Sequence, residues 1–293
     1  MPSPTPSPTH MSHTECNVTQ TASRARHAGA TASSRSTAHP PHALHLTPLP
    51  TASILLPSFL PGVPMRFEDL NWMDVEAYLK HDDRLMLVLG ACEQHAYLSL
   101  LTDIKIPLAL ADAASQQTGV PVAPPLNFGV SPYFLAYPGT LSLRVTTFMA
   151  AVEDLVRSAY RQGFRRLLIL NGHGGNNPAR AHLDELAETL PDLRLIWYNW
   201  WQSHSVEAVA LRHEIKPAHA NWLEAFAFTR VSDLPDEAKT PPHVPSHVMD
   251  AETVRRVYGD GSFGGPYHVD DAILSELFDA ALQDVLHLLR FDA

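Results

Sequence analysis

LLILNGHGGNNPARAHLDELAETL, residues 167–190, decides the reading of the fold. Leu167–Leu170 is a short unbroken apolar run, the pattern of a strand buried on both faces of a parallel sheet. Asn171-Gly172-His173-Gly174-Gly175-Asn176 follows, where glycines let the backbone approach a ligand closely and turn sharply into the next element. Pro178 then stands at a plausible first helical position, and Pro178–Leu190 carries a helical pattern. Strand, glycine-rich turn and helix in that order are the unit of a layered α/β domain, in which ligands gather at the carboxyl ends of the strands. His173 is predicted to sit at such a strand tip and to point into the cleft.

The same alternation extends in both directions. Apolar runs at Leu85–Leu89, Val120–Ala123 and Leu195–Tyr198 read as further buried parallel strands. Helices are predicted over Pro107–Gln117 and over Phe148–Gln162, where Phe148, Ala151, Val152, Leu155, Val156 and Ala159 share one stripe. Three more are predicted over Asn221–Val231, Asp250–Tyr258 and Ala272–Leu289. No internal repeat and no second domain are visible in residues 65–293, and Pro235–Pro245 reads as a Pro- and His-containing loop, a lid or a contact surface.

The first sixty-four residues differ. They hold 11 Pro, 9 Ser and 9 Thr, one acid (Glu15) and three formal positive charges (Arg24, Arg26 and Arg35). Such a segment cannot bury enough surface to order itself. It is expected to be a disordered extension, or the product of an overextended reading frame, with folding beginning at Met65. Its six irregularly spaced histidines (His10, His13, His27, His39, His42, His45) read as a solvated tail rather than a metal-binding tract.

Composition excludes several classes. With 21 basic against 31 acidic residues the net charge is -10, which leaves no electrostatic footprint for nucleic acid. No apolar run is long enough to cross a membrane. Two cysteines, Cys16 and Cys92, form no CxxC pair and make no case for an oxidising compartment, so a cytoplasmic location is expected. The chain carries no GxSxG elbow, HExxH helix, GxGxxG or Walker A loop.

Chemistry-bearing side chains cluster after predicted strands. Gly90-Ala91-Cys92-Glu93-Gln94-His95 follows the first, with Thr102-Asp103 beyond it, so one loop offers two carboxylates and an imidazole, the donor types that suit zinc, manganese or iron. His173 lies in the glycine-rich turn. His219-Ala220-Asn221-Trp222-Leu223-Glu224 is expected to open a helix at His219, with Glu224 on its second turn. Cys92 reads as a buried thiol rather than a nucleophile, since no His-Asn arrangement is local to it.

Three stretches, GACEQHAYLSLLTD (90–103), YPGTLSL (137–143) and NGHGGN (171–176), resemble the signatures of the creatininase family of metal-dependent amidohydrolases, and HANWLEA (219–225) is similar to its fourth. The resemblance spans nearly all of residues 65–293. It implies a three-layer α/β/α fold with a mainly parallel sheet, two divalent ions per chain, a small-molecule amide substrate, and a homo-oligomer such as a hexamer. Carried over by position, the metal ligands are Glu93, His95, Asp103 and His173. In creatinine-cleaving members the last carboxylate lies two residues after the turn histidine, but that position is Gly175 here, and Glu224 takes its place. The implied division gives Glu93 and His173 to one ion, His95 and Glu224 to the other, and Asp103 to both.

Departures from the family pattern bear on substrate. Ala96-Tyr97-Leu98-Ser99 replaces the usual Gly-Pro-His, with one residue missing before Asp103. Tyr133 and Phe134 stand where a Glu-His pair is frequent, so a more aromatic pocket is expected and creatinine itself is an unfavourable substrate. By resemblance His219 is the proton donor to the departing nitrogen. Gly174, Gly175 and Asn176 are assigned to substrate binding, and Trp222 either flanks a flat substrate or packs in the core. The aromatic run 197–201 reads as an interface, pocket wall or core. The expected function is hydrolysis of a small cyclic amide or another non-peptide C–N bond by a water activated between two metals. The alternatives are deformylation of a nucleotide-like formamide, for which Arg144 is the one basic residue near a predicted strand end, and a non-catalytic metal-binding or assembly role.

Overall fold

In the computed structural model the chain divides into two units, Met1–Ala52 and Ser53–Ala293. Residues 62–292 are described, all of them in the second unit. The histidine-bearing extension therefore lies outside the described residues up to residue 61.

The sheet is built from the three most continuous apolar runs: β1 (Arg84–Leu89), β2 (Arg166–Asn171) and β3 (Arg194–Asn199). They pair in parallel in the order β1-β2-β3, with Arg84, Arg166 and Arg194 in register at one end and Leu89, Asn171 and Asn199 at the other. The carboxyl ends are therefore level, and the loops that leave them start from one line.

Side-chain alternation gives the sheet two apolar faces. Met86, Val88, Leu168 and Leu170 point to one, against α2 (Thr102–Thr118), α5 (His204–Arg212) and α7 (Asp271–Leu288). Leu85, Leu87, Leu167 and Ile169 point to the other, against α3 (Val145–Gln162) and α4 (Pro178–Ala187), with Tyr78 of α1 (Trp72–Tyr78) at its margin. The result is the expected three-layer α/β/α arrangement. A short α6 (Ala251–Tyr258) lies beyond it, capped by Asp250.

Several expectations are corrected. Val120–Ala123 is not a regular strand: its segment runs beside β1 through single bridges, Met86 to Val122 and Leu89 to Leu126. Pro121, Pro124 and Pro125 lack the N–H groups that a continuous ladder needs. α2 begins at Thr102, before Pro107, because a proline within the first turns forfeits only the bond to the carbonyl four residues back, here that of Asp103. α1 and α5 escaped the hydrophobic pattern; α1 is announced instead by a capping box between Asn71 and Asp74.

The helix expected over Asn221–Val231 is replaced by a 3-10 turn, Trp222–Glu224, and irregular chain. Ala220 enters it at a left-handed φ of 52°. Side chains then take the backbone groups a helix would use: Asn221 accepts from Leu223 N, Thr229 Oγ1 donates to the carbonyls of Glu224 and Phe226, and Arg230 Nε donates to that of Ala225. Trp222, Leu223, Ala225 and Phe226 are all buried, so the run is enclosed on every side rather than striped. Among the described residues no helix is long and apolar enough to cross a membrane.

Candidate metal centre

Five titratable side chains converge at the level carboxyl ends of the strands. Glu93 and His95 come from the loop after β1, Asp103 from the first turn of α2, His173 from the turn after β2, and Glu224 from the 3-10 turn. Glycines allow the approach: a Cβ at Gly90 would stand 2.4 Å from the Asp103 carbonyl oxygen, and one at Gly172 only 1.9 Å from it. α2 is thus seated against the tips of β1 and β2, which places its first-turn carboxylate between them.

The two oxygens of Asp103 face different histidines. Oδ1 lies 3.0 Å from His95 Nε2 and Oδ2 lies 3.0 Å from His173 Nδ1. Glu224 Oε1 is 3.8 Å from His95 Nε2, and Glu93 Oε2 is 3.5 Å from His173 Nε2. Ligand atoms within 4.8 Å of one another form, among the described residues, the groups Glu93–Asp103–His173, His95–Asp103–Glu224 and Glu93–His95–His219.

The far nitrogens of the two histidines are tied to backbone. His95 Nδ1 is 3.1 Å from the Glu93 carbonyl and His173 Nε2 is 2.8 Å from the Val130 carbonyl. A carbonyl only accepts, so each of these nitrogens carries a hydrogen, which leaves the nitrogen facing Asp103 to hold either a second proton or a lone pair for a cation. Yet Glu93 Oε2, His95 Nε2 and Asp103 Oδ2 are buried without a hydrogen bond of acceptable geometry. Buried lone pairs that surround common points without satisfying one another fit cations at those points.

Electrostatics agree. Burial pulls the His95 imidazole down, but Asp103 and Glu224 overcome it and hold it up at about 10. Burial likewise opposes Glu93 and Asp103 at His173, which is held up at about 9. Asp103 stays well below the carboxylate range because the two imidazoles outweigh its burial. Burial raises Glu93, and lifts Glu224 to about 7. Three buried carboxylates therefore recruit positive charge, as protons on histidine if nothing else arrives.

A cavity of about 430 Å³ opens beside the cluster. Glu93, Asp103, His173 and Glu224 reach it, and Gly174, Gly175, Ser131, Leu223, Trp201, Tyr133, Phe134 and Phe263 complete much of its wall. The expected aromatic character is present. His219 stands at the cavity, its ring stacked on Phe134 with centroids 4.8 Å apart and an interplanar angle of 14°. Burial and His95 hold its imidazole well below the usual range.

Other expected site residues lie elsewhere. Trp222 is 0% exposed, packs in the core and donates its indole N–H to the Lys216 carbonyl, so it flanks no ligand. Asn176 is also fully buried, its amide spent on the Gly90 carbonyl, the Asn171 side chain and Val130 N, and it braces the loops instead of lining the cavity. Arg144 is exposed at the start of α3, and neither it nor any other lysine or arginine among the described residues lines the cavity. The loop 235–245 does not line it either, so no lid is seen there. In the aromatic run, Trp200 is core and Trp201 is cavity wall. Cys92 is a free, partly exposed thiol that donates to the Gly139 carbonyl.

Ser131 and Phe263 escaped the sequence reading. Phe263 had a signal, since it sits among Gly259, Gly261, Gly264 and Gly265, a glycine density typical of a shaped loop.

The family model described as creatinine amidohydrolase, named Creatininase, matches residues 68–289. The chain belongs to the creatininase family. Creatinine amidohydrolase of Pseudomonas putida is 34% identical over 116 residues, 37% of this chain and 45% of that protein. The mycofactocin precursor peptide peptidase of Mycolicibacterium smegmatis is 35% identical over 104 residues, 33% of this chain and 42% of that one. The matched stretches thus span less than half of these curated relatives. A solved structure of creatininase with manganese superposes with a TM-score of 0.67 at 22% identity, covering 78% of this chain and 98% of its own, which establishes a common creatininase fold.

Proposed function

We propose that this creatininase-family protein is a metal-dependent amidohydrolase that opens a small cyclic amide or cleaves another non-peptide C–N bond. The observation that carries the reading is the pair of donor triads that share Asp103 beside the cavity, with buried lone pairs left without hydrogen bonds. Glu93 and His173 would hold one divalent ion, His95 and Glu224 the other, and Asp103 would serve both; mixed N and O donors suit zinc, manganese or iron. Ions bound there would lower the pKa of a shared water and polarise an amide carbonyl.

The protein's own groups do the rest. The backbone at Gly174 and Gly175 borders the substrate, Phe134, Phe263 and Trp201 shape and dry the cavity, and His219 serves the departing nitrogen as acid or hydrogen-bond donor. The lack of a lysine or arginine in the cavity wall among the described residues disfavours a nucleotide-like formamide, because a phosphate would find no charged partner among them. Amides to be assayed are therefore cyclic amides, formamides and, because one relative is a precursor peptide peptidase, a peptide amide. A cytoplasmic location and a homo-oligomer belong to the same proposal.

Glu93→Gln and His173→Ala should each lower turnover of the responsive amide by at least about 100-fold, the scale on which loss of a charge-stabilising group acts. Circular dichroism should show the fold retained. Hydrolysis at the wild-type rate in either variant would overturn the reading.

A further inference from the structure

Gln94 stands between two proposed metal ligands, and its side chain bonds to neither. The amide is buried, and its orientation is settled by backbone on two sides. Oε1 accepts from Ala96 N at 3.1 Å, and Nε2 donates to the Gly261 carbonyl at 3.1 Å. Exchanging O and N would set carbonyl against carbonyl and N–H against N–H. The second amide hydrogen is then left for His219 Nε2, 3.0 Å away.

A nitrogen that receives an N–H must offer its lone pair. The neutral His219 ring therefore carries its hydrogen on Nδ1, the atom that faces the carboxylates, 3.9 Å from Glu93 Oε1. Rotating the ring would put carbon in front of the Gln94 amide, and the ring packs against both Phe134 and Phe263, with centroids 4.8 and 4.9 Å away. The structure leaves one tautomer in one orientation.

We propose that Gln94 is a positioning residue that fixes His219 as a neutral Nδ1–H donor, and so keeps it out of the ligand set that Glu93 and His95 would otherwise share with it. The tautomer follows from the hydrogen bonds alone; its use rests on the hydrolase reading above. In that reading His219 donates a hydrogen bond from Nδ1 to the departing nitrogen as the C–N bond breaks, and the proton that nitrogen keeps comes from the attacking water, whose oxygen bonds to the carbonyl carbon. It neither binds metal nor becomes a stable imidazolium.

The test is a long-range 1H–15N correlation spectrum of the full chain labelled with 15N-histidine, at neutral pH, with His219→Asn to identify the signals. The expected wild-type pattern is a protonated Nδ1 and an unprotonated Nε2. Gln94→Leu should move the proton towards Nε2, and Gln94→Glu, which places an acceptor there, should move it further. With metal offered in excess, Gln94→Leu should bind as many zinc equivalents as wild type, with kcat lowered about 10- to 100-fold and KM little changed. An unprotonated Nδ1 in the wild type, or an unchanged tautomer in folded Gln94→Leu, would overturn the proposal. If Gln94→Leu does not fold, the wild-type spectrum decides alone. Absence of zinc from both proteins would defeat the hydrolase reading and leave the tautomer result standing.

Discussion

Asp103 shows how a single residue can be legible in kind and illegible in setting. The Glu-x-His and Thr-Asp pattern marks it as a donor, and the glycines of residues 171–176 signal a close approach of backbone. What approaches, however, is protein: the Asp103 carbonyl at Gly172, and the Val130 carbonyl at Gly175, where a Cβ would stand 1.9 Å from its oxygen. Gly175 could not carry the carboxylate that some relatives have there without moving that loop, and Glu224 occupies the neighbourhood instead. Trp222 takes the core alternative and Asn176 leaves the cavity for the same reason: sequence tells that a side chain is close to a site, not whether its polar atoms are already spent.

The charge state of these residues gives a prediction about pH. Without metal, His95 at about 10 and His173 at about 9 keep protons that an unfolded chain releases near 6.5. Glu224, at about 7, keeps one that the unfolded chain releases near 4.5. The folded state then binds more protons than the unfolded state between about pH 6.5 and 9, so stability falls as pH rises through that window. Lowered His219 and Asp103 act in the opposite sense, but only below the unfolded values of 6.5 and 3.8. Metal needs the deprotonated ligands, so its contribution grows over the same window. Thermal melts should slope downward from pH 6.5 to 9 in chelator and less steeply, or upward, with zinc. A chelated protein that gains stability across that range would contradict the assignment.

At the scale of elements, β1, β2 and β3 were readable because each is a continuous apolar run in a sheet covered on both faces. α3, α4 and α7 were readable because each shows an apolar stripe. The segment 219–231 was misread as a helix because density of apolar residues was mistaken for periodicity, and nothing in the spacing reveals that Thr229 and Arg230 capture its carbonyls. That capture makes Thr229 responsible for the seat of Glu224. Thr229→Val keeps the shape and removes the one buried hydroxyl hydrogen shared by the Glu224 and Phe226 carbonyls, of which that of Phe226 keeps the backbone N–H groups of Thr229 and Arg230. A loss of about 1–3 kcal/mol is expected in denaturant unfolding, together with weaker metal binding. Stability within about 0.5 kcal/mol of wild type, in the range of ordinary surface substitutions, would contradict this role.

At the scale of the molecule, the two apolar clusters on the two faces of the sheet account for the three-layer fold. The proposal that folding begins at Met65 is supported by that residue's burial and by its backbone, which donates to Ser115 Oγ at 2.8 Å and accepts from Val122 N at 2.8 Å. A chain beginning at Met65 should melt as the full chain does, and light scattering should give it the mass of the same homo-oligomer. A lowered melting temperature or a monomer would count against those proposals. Neither the substrate nor the oligomer was legible, because both depend on surfaces shaped by loops whose sequence has no period.

If the five converging side chains hold two metal ions, elemental analysis of the metal carried per chain will count them. The expected result is about two equivalents of zinc, manganese or iron, the number of donor triads that share Asp103, falling sharply in Glu93→Gln and His173→Ala. A wild-type protein that takes up no metal when each is offered in excess, or variants that retain the full complement, would contradict it.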